Sequence, residues 1–380
     1  MTVFISCWLI GRIAAHAQAD RPAAPRYPGS FIPTAPMKVA RACHTATALS
    51  DGTVLIVGGY GNNLVTHATA EIYDPLAGSF SPAGSMRVPR EGHAATLLND
   101  GTVLITGGGV AAYNSVDSGA ELYDPATRSF TLTAGQMHAA RANHTATLLP
   151  DGTVLIAGGL DSAGHALAKA ELYEPISQTF TPVSHMRGGR ANHTATLLDD
   201  GRVLLAGGSR RSEIYDPVTK SFGKTVFKLR TIHSQAAAAL LANGEVLLAG
   251  GASIPTTTMF SQSLAYTDLY GALPAAAKGP RLITSRYGAT ATRLLSGDVL
   301  IVGGIHTNQK GYPDFQEGSL YETEGFSAAD GSISQGPSMA IARDCHTATL
   351  LSNGDVLIAG GETSSLKSST AQRSAELFVP

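Results

Sequence analysis

Arg141-Ala142-Asn143-His144-Thr145-Ala146-Thr147-Leu148-Leu149-Pro150-Asp151-Gly152-Thr153-Val154-Leu155-Ile156-Ala157-Gly158-Gly159 is the stretch whose reading decides the fold. The small, alternating side chains after His144 predict one strand. Asp151-Gly152 predicts a two-residue hairpin turn with positive φ at both central positions, and Thr153 to Ala157 a second, apolar strand stopped by the glycine pair. Beyond a variable loop, Ala170-Glu171-Leu172-Tyr173-Glu174-Pro175 reads as a third strand ended by its proline, and Thr179-Phe180 to Met186 as a fourth. Together they make a four-stranded antiparallel meander.

The same unit recurs. Glycine pairs end an apolar run at Gly58-Gly59, Gly107-Gly108, Gly158-Gly159, Gly207-Gly208, Gly250-Gly251, Gly303-Gly304 and Gly360-Gly361, spaced 49, 51, 49, 43, 53 and 57 residues apart. A chain of 380 residues would by length suggest two or three domains; a period of about 50 residues replaces them with seven copies of one unit. Turn residues recur at Asp51-Gly52, Asp100-Gly101 and Asp200-Gly201, with Asn243-Gly244, Asn353-Gly354 and Ser296-Gly297 in the other copies. Small residues in the first strand and branched ones in the second make each unit a wedge, and wedges close into a ring. The expected fold is all-β, a seven-bladed β-propeller. Its last blade holds only Ala375-Glu376-Leu377-Phe378-Val379-Pro380 as third strand, while Gly29-Ser30-Phe31 to Met37 matches the fourth strand at Gly78-Ser79-Phe80 to Met86. The N-terminal strand is therefore expected to complete the last blade and hide two sheet edges.

Composition narrows the function classes. With 27 basic against 29 acidic side chains the net charge is -2, so no global field draws the chain to nucleic acid, and the apolar run from Val3 to Ile10 is too short to span a membrane. That run, followed by Ala14-Ala15-His16-Ala17-Gln18-Ala19, predicts a signal peptide over 1–19 and a secreted or periplasmic protein, although no positive residue precedes it. Residues 20–28 read as a lead-in and 29–380 as the propeller.

The most repeated polar pattern is Arg-x-x-His: Arg41/His44, Arg90/His93, Arg141/His144, Arg190/His193, Arg230/His233 and Arg343/His346, with Arg286 but Ala289 in the sixth copy. Two readings stand. A cationic ring at the channel mouth would bind carboxylate, phosphate or acidic sugars and gain charge as the histidines protonate. The preferred reading makes the arginines part of the repeat's own bonding, satisfied by backbone carbonyls or by the equally repeated Glu71, Glu121, Glu171, Glu213 and Glu376. Departures from the repeat are then the better ligand candidates. The short loop Ser209-Arg210-Arg211 contrasts with long loops in the last three copies, which predicts a binding depression walled by Ser253 to Ser263, His306 to Glu317 and Glu362 to Arg373. Its candidate ligand-binding residues are Arg210, Arg211, Arg286, Tyr287, His306, Lys310, Tyr312 and Phe315. Asp314 or Glu317 beside His306 is a candidate acid or base. Cys43 and Cys345 share one slot in the first and last copies, and ring closure makes them neighbours; a disulfide and two buried thiols are the alternatives.

Arg-x-x-His, the glycine pair, Glu-Leu-Tyr-Asp-Pro and the spaced aromatic resemble bacterial-type kelch repeats over about residues 29–380, similar to the galactose oxidase central domain superfamily. Phe80, Phe130, Phe180 and Phe222 stand where that family has a tryptophan. The resemblance implies a binding module for a protein or glycan, here expected to be a monomer with no cofactor and no metal. Its enzyme members imply the alternative, a carbohydrate-active or galactose-oxidase-like oxidoreductase, whose copper is held by tyrosines and histidines with one tyrosine crosslinked to a cysteine. Tyr287 and Cys345 lie on adjacent copies, but no Tyr-His pair occurs in the chain.

Overall fold

The computed structural model describes residues 27–110, 115–223, 229, 231–253, 262–271, 277–307, 317–365 and 368–380. The expected signal at 1–19, most of the lead-in, and Arg230, Lys310, Tyr312, Asp314 and Phe315 lie outside the described residues. In the third repeat, strands Thr145–Leu148, Val154–Ala157, Ala170–Glu174 and Thr179–Pro182 pair in that order, all antiparallel. Among the described residues a four-stranded sheet of this order forms in each of the seven repeats. In the seventh, Ser30–Thr34 takes the outer place and pairs with Ala375–Val379, Phe31 opposite Phe378. Repeat five keeps only a two-residue outer strand, Ala277–Lys278. The chain is thus all-β, built of propeller-type antiparallel sheets, with a single short 3-10 turn at Asn62–Leu64 among the described residues.

The hairpin differs from the two-residue turn expected. Leu149 N donates to Thr153 O at 2.8 Å and Gly152 N to Leu149 O at 2.9 Å, so the loop has three residues and positive φ only at Gly152, +86°. This is the three-residue hairpin loop with a left-handed glycine. Asp151 serves instead as an acceptor, its Oδ1 taking the N–H and the hydroxyl of Thr153 at 3.0 and 2.7 Å. That role explains why Asn243, Asn353 and Ser296 substitute for it: each accepts from the N–H two residues on.

The second strands form the core. Val154, Leu155, Ile156 and Ala157 are all buried because both faces of the sheet are covered. Leu155 and Ala157 pack on Val203 and Leu205 of repeat four, while Val154 and Ile156 pack with Leu104 of repeat two. A matching cluster joins Val54 and Ile56 of repeat one to Leu357 and Ala359 of repeat seven. Each such side chain contributes roughly 1.5–3 kcal/mol on burial. Farther out, Tyr173 packs on Phe180 with ring centroids 4.9 Å apart, and Tyr73/Phe80, Tyr123/Phe130 and Tyr215/Phe222 repeat the contact. Loops of repeats six and seven are tied into a further sheet, Ile305–Thr307, Glu317–Ser319, Glu362–Ser365 and Ser368–Ala371.

Candidate functional site

The repeated arginines are spent inside the sheets. Arg41 is fully buried; its Nη1 donates to the carbonyls of Gly58 and Thr69 at 2.8 and 3.0 Å, and its Nη2 to Glu71 Oε1 at 3.0 Å. Glu71 in turn accepts the N–H groups of Lys38 and Val39, which enter the repeat. The same pair recurs as Arg90–Glu121, Arg141–Glu171, Arg190–Glu213, Arg286–Glu324 and Arg343–Glu376, every arginine being 0% exposed. Charge and counter-charge therefore cancel within each wall, and these arginines form no cationic rim. Arg286, a ligand candidate from sequence, belongs to this buried set.

Repeat five corrects the sequence register. His233, read as the histidine of an Arg-x-x-His copy, takes the arginine place: its Nδ1 lies 2.6 Å from Gly250 O and its Nε2 3.2 Å from Asp268 Oδ2. Five of the six described wall arginines sit 17 residues before a carbonyl they reach, Arg190 reaching Leu205 O instead, and His233 obeys the spacing of 17. Ala236 then fills the histidine slot.

The remaining histidines join neighbouring repeats. Nε2 of His93, His193 and His346 is hydrogen-bonded to Thr45, Thr145 and Thr290 of the preceding repeat at 2.9–3.0 Å, and His44 reaches Thr347 at 3.1 Å. In repeat two Ala94 removes the threonine, and Thr106 on the next strand supplies the hydroxyl to His144 at 2.9 Å. Burial, then the adjacent arginine cations, lowers His93, His193 and His346 to about 3 and holds His44 and His144 well below their usual range. These imidazoles are neutral at physiological pH, so the rim gains no charge near pH 6.5.

Between the arginine slot and the histidine slot the chain turns through a left-handed residue in all seven repeats: Cys43, Gly92, Asn143, Asn192, Gln235, Gly288 and Cys345, with φ between +49° and +64°. Five of these donate to the carbonyl of the equivalent residue next door, from Cys43 N to Cys345 O at 2.9 Å through Gly288 N to Gln235 O at 2.9 Å. Cys43 and Cys345 are disulfide-bonded with Cα atoms 4.8 Å apart. This collar surrounds a cavity of about 690 Å³ lined by the disulfide, Asn143, Asn192, Gln235, Tyr60 and Glu91, with Leu160 to Gly164 at its lip. Its charge is acidic. Glu91 is pushed up to about 7 by burial and by Glu362, and Asp344 to about 6, chiefly by burial. Burial and the same carboxylates raise the Tyr60 hydroxyl. Glu91, Asp344 and Tyr287 occupy the slot that holds Ala42, Ala142 and Ala191 elsewhere. That departure was visible in the sequence for all three, although only Tyr287 was singled out.

None of the five described ligand candidates, Arg210, Arg211, Arg286, Tyr287 and His306, is among the described residues lining this cavity. Arg210 and Arg211 are exposed on repeat four, Tyr287 donates to Glu317, and His306 borders a separate cavity with Arg281. The described lining of the cavity comes from repeats seven and one to five, with Leu160 to Gly164 of repeat three rising beside it.

Residues 41–87 match the Kelch motif. No curated protein matches the chain. Among solved structures it is similar to a fungal alcohol oxidase of the AA5 family in complex with copper, with TM-score 0.73 and 18% identity over 93% of this chain and 76% of that one. Motif and likeness fit a propeller fold built of kelch-type repeats. The described residues do not fit a copper centre of tyrosines, histidines and a crosslinked cysteine. Cys345 is bonded to Cys43, Tyr287 to Glu317, and five of the histidines to threonines between repeats. Among the described residues no three His, Cys, Asp or Glu side chains converge to hold a metal ion. Nor, among them, is any helix long and apolar enough to cross a membrane.

Proposed function

We propose that residues 29–380 form one seven-bladed ring, closed by Ser30–Thr34 in the last blade, that works as an exported, monomeric binding module for a protein or glycan. Closure is supported by Gly361 N donating to Arg41 O at 2.9 Å, the bond that Gly59 N makes to Arg90 O one repeat on. The Cys43–Cys345 disulfide supports export, since such bonds persist in oxidising compartments. The observation carrying the function is the collar cavity, whose amides and carboxylates face solvent on rigid backbone. An array of glycans and cell-surface ectodomains tests it. Asn143→Gly, Asn192→Gly and Gln235→Gly together keep the left-handed backbone while removing the amides, and should abolish binding with little change in melting temperature. Undiminished binding would place the ligand elsewhere. A second reading, an enzyme working in the same mouth, is favoured by Glu91, pushed up to about 7 and lining the cavity with Tyr60; turnover lost in Glu91→Gln would select it.

A further inference from the structure

We propose that the cavity between repeats five and six is a second ligand site, taking a small molecule that carries a carboxylate with a neighbouring hydroxyl, as in a uronic acid. This cavity of about 450 Å³ is lined by Ala265, Arg281, Ile283, Thr284, Ser285, His306 and Thr307, none of which borders the collar cavity. Two of its groups are preset with opposite hydrogen-bonding character.

The first is a free cation. Arg281 lies over the Tyr266 ring, 4.9 Å from its centroid, and makes no ion pair among the described residues, unlike the wall arginines with their glutamates. A guanidinium held over a ring keeps its N–H fork for a planar acceptor, and that fork matches a carboxylate. The second is an oriented acceptor. His306 Nδ1 lies 3.0 Å from both the carbonyl and the hydroxyl of Ser285. A carbonyl only accepts, so a proton sits on Nδ1, and in the tautomer this selects the lone pair is on Nε2.

The imidazole is held in place by a hydroxyl network from both repeats. Ser285 Oγ lies 2.7 Å from Ser263 Oγ, and Ser263 Oγ lies 3.0 Å from Thr307 Oγ1. The backbone N–H groups of Ser263 and Thr307 donate reciprocally to those hydroxyls at 2.9 and 3.0 Å, and both residues are fully buried. A wall this satisfied keeps its geometry without a ligand. The pairing of donor cation and acceptor nitrogen selects among anions. Sulfate and fully ionised phosphate have only acceptors and would leave Nε2 facing a lone pair. A hydroxy-carboxylate gives its carboxylate to Arg281 and its hydroxyl proton to His306.

Isothermal titration of the intact chain with glucuronate, glucose and inorganic sulfate tests the assignment. Glucuronate is expected to bind at least about ten-fold tighter than either control, and Arg281→Gln to weaken it by about the same factor, one lost charge-assisted pair. His306→Phe should narrow the gap between glucuronate and sulfate. The triple glycine variant of the collar should bind glucuronate as the unmodified chain does, which separates this site from the mouth. Absence of glucuronate binding, equal binding of sulfate, or full binding by Arg281→Gln would overturn the proposal.

Discussion

Repeats seven and one to four differ from repeats five and six in how their neighbours are joined. Where repeats seven and one, one and two, two and three, three and four, and six and seven meet, a buried histidine bonds to a threonine hydroxyl across the gap. At the two junctions flanking repeat five the histidine slot holds Ala236 and Ala289. A buried pairing of a basic side chain with a carboxylate recurs in every repeat, in repeat five as His233–Asp268. The difference teaches which element is dispensable. A neutral hydrogen bond contributes only about 1 kcal/mol net, whereas a wall cation without its carboxylate leaves a buried charge. The sector released from the histidine staple is also the one that carries the Arg281–His306 cavity.

Acidification should break the regular sector first and most strongly. The five stapling histidines have folded-state values below their ordinary 6.5, so the unfolded chain takes up protons before the folded one. Their contribution is complete above pH 6.5 and is lost as pH falls toward about 3, by up to about 1.4 kcal/mol per histidine per pH unit. Glu91 and Asp344 act with the opposite sign, losing stability as pH rises through about 7 and 6, but they are two groups against five. Melting temperature followed from pH 7 to 4 should fall steeply. Copying repeats five and six by His93→Ala and His193→Ala should flatten that fall, and an unchanged slope would contradict buried neutral histidines.

Breaking one wall pair comes next. Arg141→Met leaves Glu171 buried without its cation and should cost about 3–5 kcal/mol in denaturant unfolding. Reducing Cys43–Cys345, which closes a separation of 302 residues, should cost about 2–4 kcal/mol while the far-ultraviolet spectrum stays that of the intact fold, because Gly361–Arg41, His44–Thr347 and the strand pairing hold the same junction. Smallest is a single staple: His193→Ala should cost about 1–2 kcal/mol, part hydrogen bond and part void, at pH 7. A cost as large as that of Arg141→Met would erase the contrast between staple and wall.

Much of this was legible in residue order. The glycine pairs, the proline after the third strand in five of the seven repeats and the match of Gly29 to Met37 with a fourth strand led to seven sheets and to the pairing of Ser30–Thr34 with Ala375–Val379. Two local readings missed. Asp-Gly suggested a two-residue turn because the Asp was credited with positive φ, when its work is to accept from Thr153. Arg230/His233 was read as one more motif copy because its spacing of three was weighed and its distance to Gly250 was not. The collar amides Asn143 and Asn192 were passed over because a residue between two conspicuous ones draws no attention until its φ is known.

Sequence alone determined the repeat, the strand order within it and which side chains form the core, since these follow from spacing, turn chemistry and apolar pattern. The sign of charge at the mouth was decided only by tertiary structure. Seven arginines in register left a positive rim open beside the preferred reading, pairing with the repeated glutamates; folding carries the six described ones into the walls and sets each against a glutamate 23 to 38 residues away. A desolvated cation is tolerable only beside its counter-charge, so pairing removes from the surface the charge that the sequence displays, and leaves Glu91 and the amides to face the solvent.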